Sequence, residues 1–381
     1  MSGRALRVLH VTPSFHPAGW YGGPSRSGYG LVKSLASNGA VVRVLTTDTN
    51  GPRETLDLER DVELPLVPNA TVRYCARRLP ESVAPSLLRV LPSWVDWCDV
   101  IHLTAIYNFT TFPTLLLARV RHKPLVWSPR GALLRWPGSR RTAAKRAWEL
   151  TARPLLDRRL TRMHATSDRE AEASERRMKV PAILVPNGVD LPEAWPRPAR
   201  DATLRVGFLG RIDPVKAIDR LLDALALVEG ASLSIAGGGN PEYQRLLEAQ
   251  AATARVSSRV RFLGEVDGAS KAAFFAGIDV LVLPSHTENF GLVVVEALSY
   301  GVPVIASDRT PWSSLPQEGA GWFVSNEPPA LAAALREART ADLGAMSQRA
   351  RALAERLYSW RHTGQEMLGH YEALVRAAGE A

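Results

Sequence analysis

The chain has 381 residues, 46% hydrophobic and 22% charged, enough for two ordinary soluble domains with a core each. No run approaches the roughly 18–20 apolar residues of a membrane span, the opening MSGRALRVLHVTPSF carries no apolar leader segment, and Cys75 and Cys98 are too few for a disulfide framework, so a reduced, cytoplasmic setting is expected. The net charge is +9, yet residues 119–162 alone hold thirteen Lys/Arg against Glu149 and Asp157, leaving about −2 elsewhere; this stretch, with Trp136 and Trp148, reads as a solvated positive face or as a contact with anionic lipid or an acidic acceptor, and no nucleic-acid module accompanies it.

The first strand is LRVLHVT (6–12). After it, in GWYGGPSRSGYG, Gly22 and Gly23 form a plain turn or let backbone approach a ligand closely, while Pro24-Ser25 opens a helix. Further short apolar strands are VVRVLTT (41–47), DVIHLT (99–104), PLVWS (124–128), RMHAT (162–166) and AILVP (182–186). Arg130 lies at the carboxyl end of one of them, in SPRGALLRW. The Asn-Gly of VPNGVD reads as a turn before the Pro-rich linker 191–203. His10, His16, His102 and His164 show no metal-ligand spacing and read as packed or hydrogen-bonded structure.

The second series is LRVGFLG (204–210), ASLSIAG (231–237), RVRFLG (259–264), IDVLVLP (278–284) and VPVIAS (302–307). Ile218, Leu221, Leu222, Leu225 and Val228 recur between them at helical spacing. Short apolar strands alternating with helices predict α/β domains with parallel sheets covered on both faces. Arg211 follows a strand and Lys216 precedes a helix, a placement that suits a diphosphate. The glycines of IAGGGNPEY border that region or form a plain tight turn. In HTENFGLVVVEALS, Glu288 sits on a loop and Glu296 more than one turn inside a helix starting near Gly291. Between them, loop N–H groups and the helix N-terminus suit an anionic, phosphate-bearing ligand. Beyond residue 327 only helices are expected, the last over roughly 359–377 and packing back across a domain boundary. The first βα turn lacks the dinucleotide GxGxxG, and the chain shows no GxSxG elbow, Walker A loop or Asp-x-Asp motif.

Together GGPSRS, SPRG, VPNGVD, FLGRIDPVK, VRFLGEV, the Glu-x7-Glu block, TPW and the closing SW resemble the retaining GT-B glycosyltransferases of family 4. The resemblance implies two Rossmann-like domains facing each other across a deep cleft, with the final helix crossing back to the first. The expected domains are 1–195 with 358–381, on the acceptor side, and 200–357, for the nucleotide sugar. It further implies that Arg211 and Lys216 neutralise the donor diphosphate, that Glu296 bonds the ribose hydroxyls and that Glu288 sits beside the transferred sugar. The backbone of Asn289, Phe290, Gly291 and Leu292 would cradle sugar and phosphate, Val266 would neighbour the base, and Gly22 and Gly23 would close over the diphosphate. Many relatives carry His where this chain has Arg130, and Arg cannot serve as a general base. It can orient an acceptor or stabilise phosphate charge.

The expected activity is a metal-independent transfer, with retention, from a nucleotide-diphosphate sugar as donor substrate and with no cofactor. The acceptor is expected to be a glycan or lipid-linked intermediate of bacterial surface polysaccharide, handled in the cytoplasm or peripherally on the inner membrane face. A non-catalytic nucleotide-sugar sensor on the same fold is the alternative, opposed by the presence of Arg211, Lys216, Glu288 and Glu296 together. An oxidoreductase lacks its fingerprint here, and a phosphorylase lacks a recognisable pyridoxal-phosphate lysine.

Overall fold

The computed structural model describes residues 4–79, 82–135, 141–193 and 202–380. It forms two compact units, Met1–Gly188 with Trp360–Ala381, and Val189–Ser359. Trp136 and residues 194–201, the greater part of the expected linker, lie outside the described residues.

Unit 1 runs through β1 (Arg7–Val11), α1 (Gly23–Ser37), β2 (Val41–Thr47), β3 (Glu63–Val67), β4 (Ala70–Cys75), α2 (Pro85–Trp97) and β5 (Val100–Thr104). It continues with α3 (Thr111–Val120), β6 (Leu125–Ser128), α4 (Thr142–Ala152), β7 (Thr161–Ala165), α5 (Asp168–Met178) and β8 (Ala182–Leu184). Among the described residues these strands make one sheet, ordered β3-β4-β2-β1-β5-β6-β7-β8. β5 and β6 are buried along their whole length, as strands covered on both faces must be. The parallel pattern breaks once, where β3 runs antiparallel to β4. β3 contains Pro65 and stays half-exposed, which suits the sheet edge, where a missing N–H breaks no ladder.

Unit 2 runs through β9 (Leu204–Leu209), α6 (Ile218–Ala226), β10 (Ala231–Ala236), α7 (Pro241–Thr253), β11 (Val260–Gly264) and α8 (Gly268–Ala276). There follow β12 (Val280–Leu283), α9 (Leu292–Ser299), β13 (Val304–Ser307), β14 (Gly321–Val324), α10 (Pro328–Thr340) and α11 (Leu343–Leu357). Its sheet, ordered β11-β10-β9-β12-β13-β14, is parallel throughout. Ile218, Leu221, Leu222, Leu225 and Val228 are all buried in the core beneath it. The strand order reverses between β9 and β12, so the loops leaving these two strands flank the switch point where open α/β sheets hold ligands.

The last helix, α12 (Trp360–Gly379), belongs to unit 1 and packs on α1. Glycines set how closely it lies. A Cβ on Gly30 would stand 2.1 Å from the Trp360 ring, and one on Gly364 1.9 Å from the Ser34 hydroxyl. Behind this contact Met367, Tyr371 and Leu374 enter the same core as Leu31, Leu35 and Val44.

Candidate functional site

Beyond β9, the chain passes Arg211 and enters a 3-10 turn at Pro214–Lys216, capped by Asp213, whose carboxylate accepts from Val215 N at 3.0 Å. The glycine-rich exit of β10 lies directly against this segment. Ile212 N donates to Gly238 O at 2.8 Å and Asn240 N to Ile212 O at 3.1 Å. A Cβ on Gly237 would fall 1.9 Å from Gly210 O, and one on Gly239 2.3 Å from Ile212 O. These two glycines therefore permit backbone-on-backbone packing that fixes the Arg211 loop. Arg211 itself is exposed and has no ion-pair partner among the described residues.

The loop after β12 is stitched to the same turn by His286 N, which donates to Val215 O at 2.9 Å. Lys216 Nζ donates to Glu288 Oε1, and Ser285 Oγ donates to the same oxygen at 3.0 Å. The two charged side chains are 19% and 12% exposed, so the pair is partly shielded yet open to a ligand. Farther along, Trp312 Nε1 donates to Phe290 O at 2.6 Å. Gly291 has φ 80°, and a Cβ there would stand 3.1 Å from Leu283; conformation and space both call for glycine. The chain then enters α9, with Glu296 in its second turn. Lys271 Nζ, from α8, donates to Glu296 Oε1 at 2.8 Å. Val266 packs as a half-buried neighbour of the cluster containing Leu281, Leu283 and Val294. Unit 2 thus brings Lys216 and Glu288 into contact and sets residues 289–292 and Glu296 on the adjoining loop and helix, while Arg211 shares the strand exit that carries Lys216.

Gly22, Gly23 and Arg130 belong to unit 1. Gly22 has φ 57° and ψ −121°, with open space where a Cβ would be, and Gly23 begins α1. Arg130 follows β6 with φ 53°, and its Nη1 donates to Asn187 Oδ1 at 2.8 Å. Asn187, expected only to turn the chain, is thus an anchor for Arg130. Gly131 N donates to the buried Glu170 carboxylate at 2.5 Å, and Thr166 N donates to its other oxygen at 2.9 Å.

Near Arg130 lies a layer of buried histidines. His10 Nε2 is 2.9 Å from Thr104 Oγ1, His102 Nδ1 is 2.5 Å from Tyr371 OH, and His164 bonds Ser128 Oγ at 3.1 Å and Val185 O at 2.9 Å. The ring of His102 lies 4.9 Å from that of His10 and 5.5 Å from that of His164. Burial, reinforced by the Arg130 charge, pulls His10 and His164 down to about 3. Burial and the neighbouring imidazoles hold His102 well below its usual range. All three rings are neutral at physiological pH. His16, by contrast, is exposed and stacks on Tyr29 at 4.3 Å.

Sequence reading passed over Lys271 and Glu170 and gave Asn187 only a turn. Lys271 left a trace, since it is the one charge in the nine-residue apolar helix GASKAAFFA. Glu170 sits at the third position of a helix capped by Ser167, where an acid reads as an ordinary N-terminal residue.

Comparison with known proteins bears on both units. The family described as "Glycosyltransferase Family 4" matches residues 21–193, and "Glycosyl transferases group 1" matches residues 194–356. A phosphatidyl-myo-inositol mannosyltransferase of Mycobacterium tuberculosis is 34% identical over 240 residues, covering 58% of this chain and 62% of that protein. A D-inositol 3-phosphate glycosyltransferase of Geodermatophilus obscurus is 34% identical over 220 residues, covering 52% and 49%. The matched segment thus spans about half to three-fifths of these relatives' length. Among solved structures, a sucrose-phosphate synthase from Thermosynechococcus elongatus aligns with TM-score 0.75 at 21% identity, over 98% of this chain and 100% of that one. Anabaena HepE in complex with UDP aligns with TM-score 0.73 at 18% identity, over 97% and 100%. With both halves matched and the fold shared, the chain belongs to the family 4 (group 1) glycosyltransferases and has the GT-B fold.

Proposed function

We propose that this chain transfers a sugar, with retention of anomeric configuration, from a nucleotide-diphosphate sugar to a glycan or lipid-linked acceptor. The observation that carries this reading is the group at the unit 2 switch point. There Lys216 touches Glu288, Arg211 stands exposed on the same strand exit, and Glu296, partly exposed on the helix that follows, pairs with Lys271. In this reading Arg211 and Lys216 stabilise the departing diphosphate, Glu288 sits beside the sugar and Glu296 takes the ribose hydroxyls. The backbone of Asn289, Phe290, Gly291 and Leu292 cradles sugar and phosphate, and Val266 neighbours the base. Transfer with retention has the acceptor attack from the face the nucleotide leaves, its proton passing to the leaving phosphate. Such a step asks for cations and alignment more than for a strong base. Arg130, a fixed cation in unit 1, then orients an acceptor, and the Gly22-Gly23 turn offers backbone to an anion. The HepE structures with UDP and with UDP-glucose support a nucleotide-sugar donor on this fold.

The names of the curated relatives, acting on inositol lipids or inositol phosphate, support an acceptor rich in hydroxyls and in some cases lipid-linked. Such an acceptor fits bacterial surface-polysaccharide synthesis. A peripheral membrane contact is supported by α3 and α4, joined through Phe112 and Trp148, whose rings lie 4.4 Å apart. Leu116, Val120 and Leu150 are 50%, 59% and 50% exposed there, beside the exposed Arg119, Arg121 and Arg146. Sedimentation with anionic and neutral vesicles tests that contact, and equal binding to both would remove it. The main reading is tested by offering labelled UDP-, GDP- and ADP-sugars with a mixed glycan and lipid extract. Release of nucleoside diphosphate coupled to label on the acceptor is expected, whereas binding without turnover would favour a sensor.

A further inference from the structure

We propose that Lys271 is a positioning residue that aims the Glu296 carboxylate at the ribose and thereby makes the site prefer ribonucleotides to 2′-deoxyribonucleotides. This rests on the donor reading above. α8 is held at its start by a capping box between Asp267 and Ser270, and near its end by the buried Phe274 and Phe275. The stem of Lys271 therefore starts from a fixed backbone. α9 is equally fixed, because Val294, Val295, Ala297 and Leu298 around Glu296 are buried. The Glu296 side chain between them keeps a 24% exposed end. It has three rotatable bonds, and among the described residues its one side-chain partner is Lys271, at 2.8 Å.

That contact occupies only Oε1, and none of the described residues donates to Oε2. An ionised carboxylate offers about four lone-pair positions, so two neighbouring hydroxyls still find acceptors. Without Lys271 the carboxylate would visit several rotamers, and ordering it would weaken binding. A 2′-deoxyribose removes one donor. The loss is felt strongly only if the acceptor is already aimed at the missing hydroxyl, because an acceptor free to turn away finds water instead. Lys271 thus controls discrimination as well as affinity.

The test is isothermal titration of the full chain with UDP, GDP and ADP and with their 2′-deoxy counterparts. Wild type is expected to bind the ribo form of its preferred nucleotide about tenfold tighter, the effect of roughly one charge-assisted hydrogen bond. Lys271→Met should shrink the ratio to about twofold or less while leaving the ligand-free melting temperature near wild type, and Lys271→Arg should restore it. If Lys271→Met does not fold, Lys271→Gln is read for the same ratio. Should the ratio persist in these variants while Glu296→Gln abolishes it, the proposal is overturned and the donor reading stands. Should wild type bind none of the nucleotides, or Glu296→Gln leave affinity and ratio unchanged, the donor reading falls and takes the proposal with it.

Discussion

The two units carry their polar groups at the carboxyl ends of similar parallel strands, yet furnish those ends in opposite ways. In unit 2 they are cation–carboxylate couples, Lys216 with Glu288 and Lys271 with Glu296, each side chain 12–24% exposed. In unit 1 the strands themselves, from the middle residue onward, hold His10, His102 and His164 at 1–3% exposure, neutral and bonded to Thr104, Tyr371, Ser128 and Val185 O. A partly exposed ion pair trades its partner for a ligand's charge at modest cost. A buried neutral imidazole cannot take up charge without destabilising the fold. One topology therefore carries an exchangeable electrostatic site in one unit and a rigid polar layer in the other.

If the charges of unit 2 perform the chemistry, Lys216→Ala should lower kcat roughly 10²- to 10³-fold, the usual effect of removing one group that stabilises developing negative charge. Arg211→Ala should fall in the same range, and circular dichroism should report an intact fold for both. Steady-state nucleoside diphosphate release is the measurement, and near-wild-type turnover in either variant would move the site elsewhere.

The unit 1 layer predicts acid lability. The folded pKa of His10 and of His164 is about 3, against 6.5 for the free side chain. Their neutral forms are thus fully accommodated above pH 6.5, and stability is lost as pH falls from 6.5 towards 3. Each contributes a slope of up to roughly 1.4 kcal/mol per pH unit in that window. Denaturant midpoints at pH 7.5, 6 and 5 should drop progressively, and His164→Gln should flatten the curve. A pH-independent midpoint across this range would mean that the imidazoles are not held neutral.

Rigidity in unit 1 also depends on how closely α12 lies on α1. Gly30→Ala would press a methyl into Trp360 and should cost about 1–3 kcal/mol, read as a lower melting temperature. An unchanged melting temperature would show that Trp360 yields freely.

Most strands were legible in the sequence because buried parallel strands write themselves as short apolar runs; VIHLT, VLVL and VIAS are buried at every position. β3, β4 and β14 were not, since ELPLV carries a proline and stays half-exposed, ATVRYC alternates weakly, and GWFV is only four residues long and opens on a glycine. Of the site, the residues whose place follows from local order could be read: Lys216 just before a helix, and Gly291 at the turn into α9. Residues whose role comes from distant pairing could not. Asn187 reaches Arg130 across 57 positions and Lys271 reaches Glu296 across 25, separations that leave no periodic mark.

The smallest effect concerns how Glu288 is held. Its Oε1 receives both Lys216 and the hydroxyl of the fully buried Ser285, which bonds it at 3.0 Å. A neutral hydroxyl bond is worth about 0.5–1.5 kcal/mol, and a bond from an ammonium roughly twice that. Ser285→Ala leaves the carboxylate still paired with its cation, so turnover should fall only about three- to tenfold, with donor KM little changed. A hundredfold loss would mean that the hydroxyl, rather than the exchangeable lysine, fixes Glu288. The carboxylate would then keep its place when Lys216 turns to the diphosphate, and this end of unit 2 would resemble the rigid layer of unit 1 more than its own second ion pair.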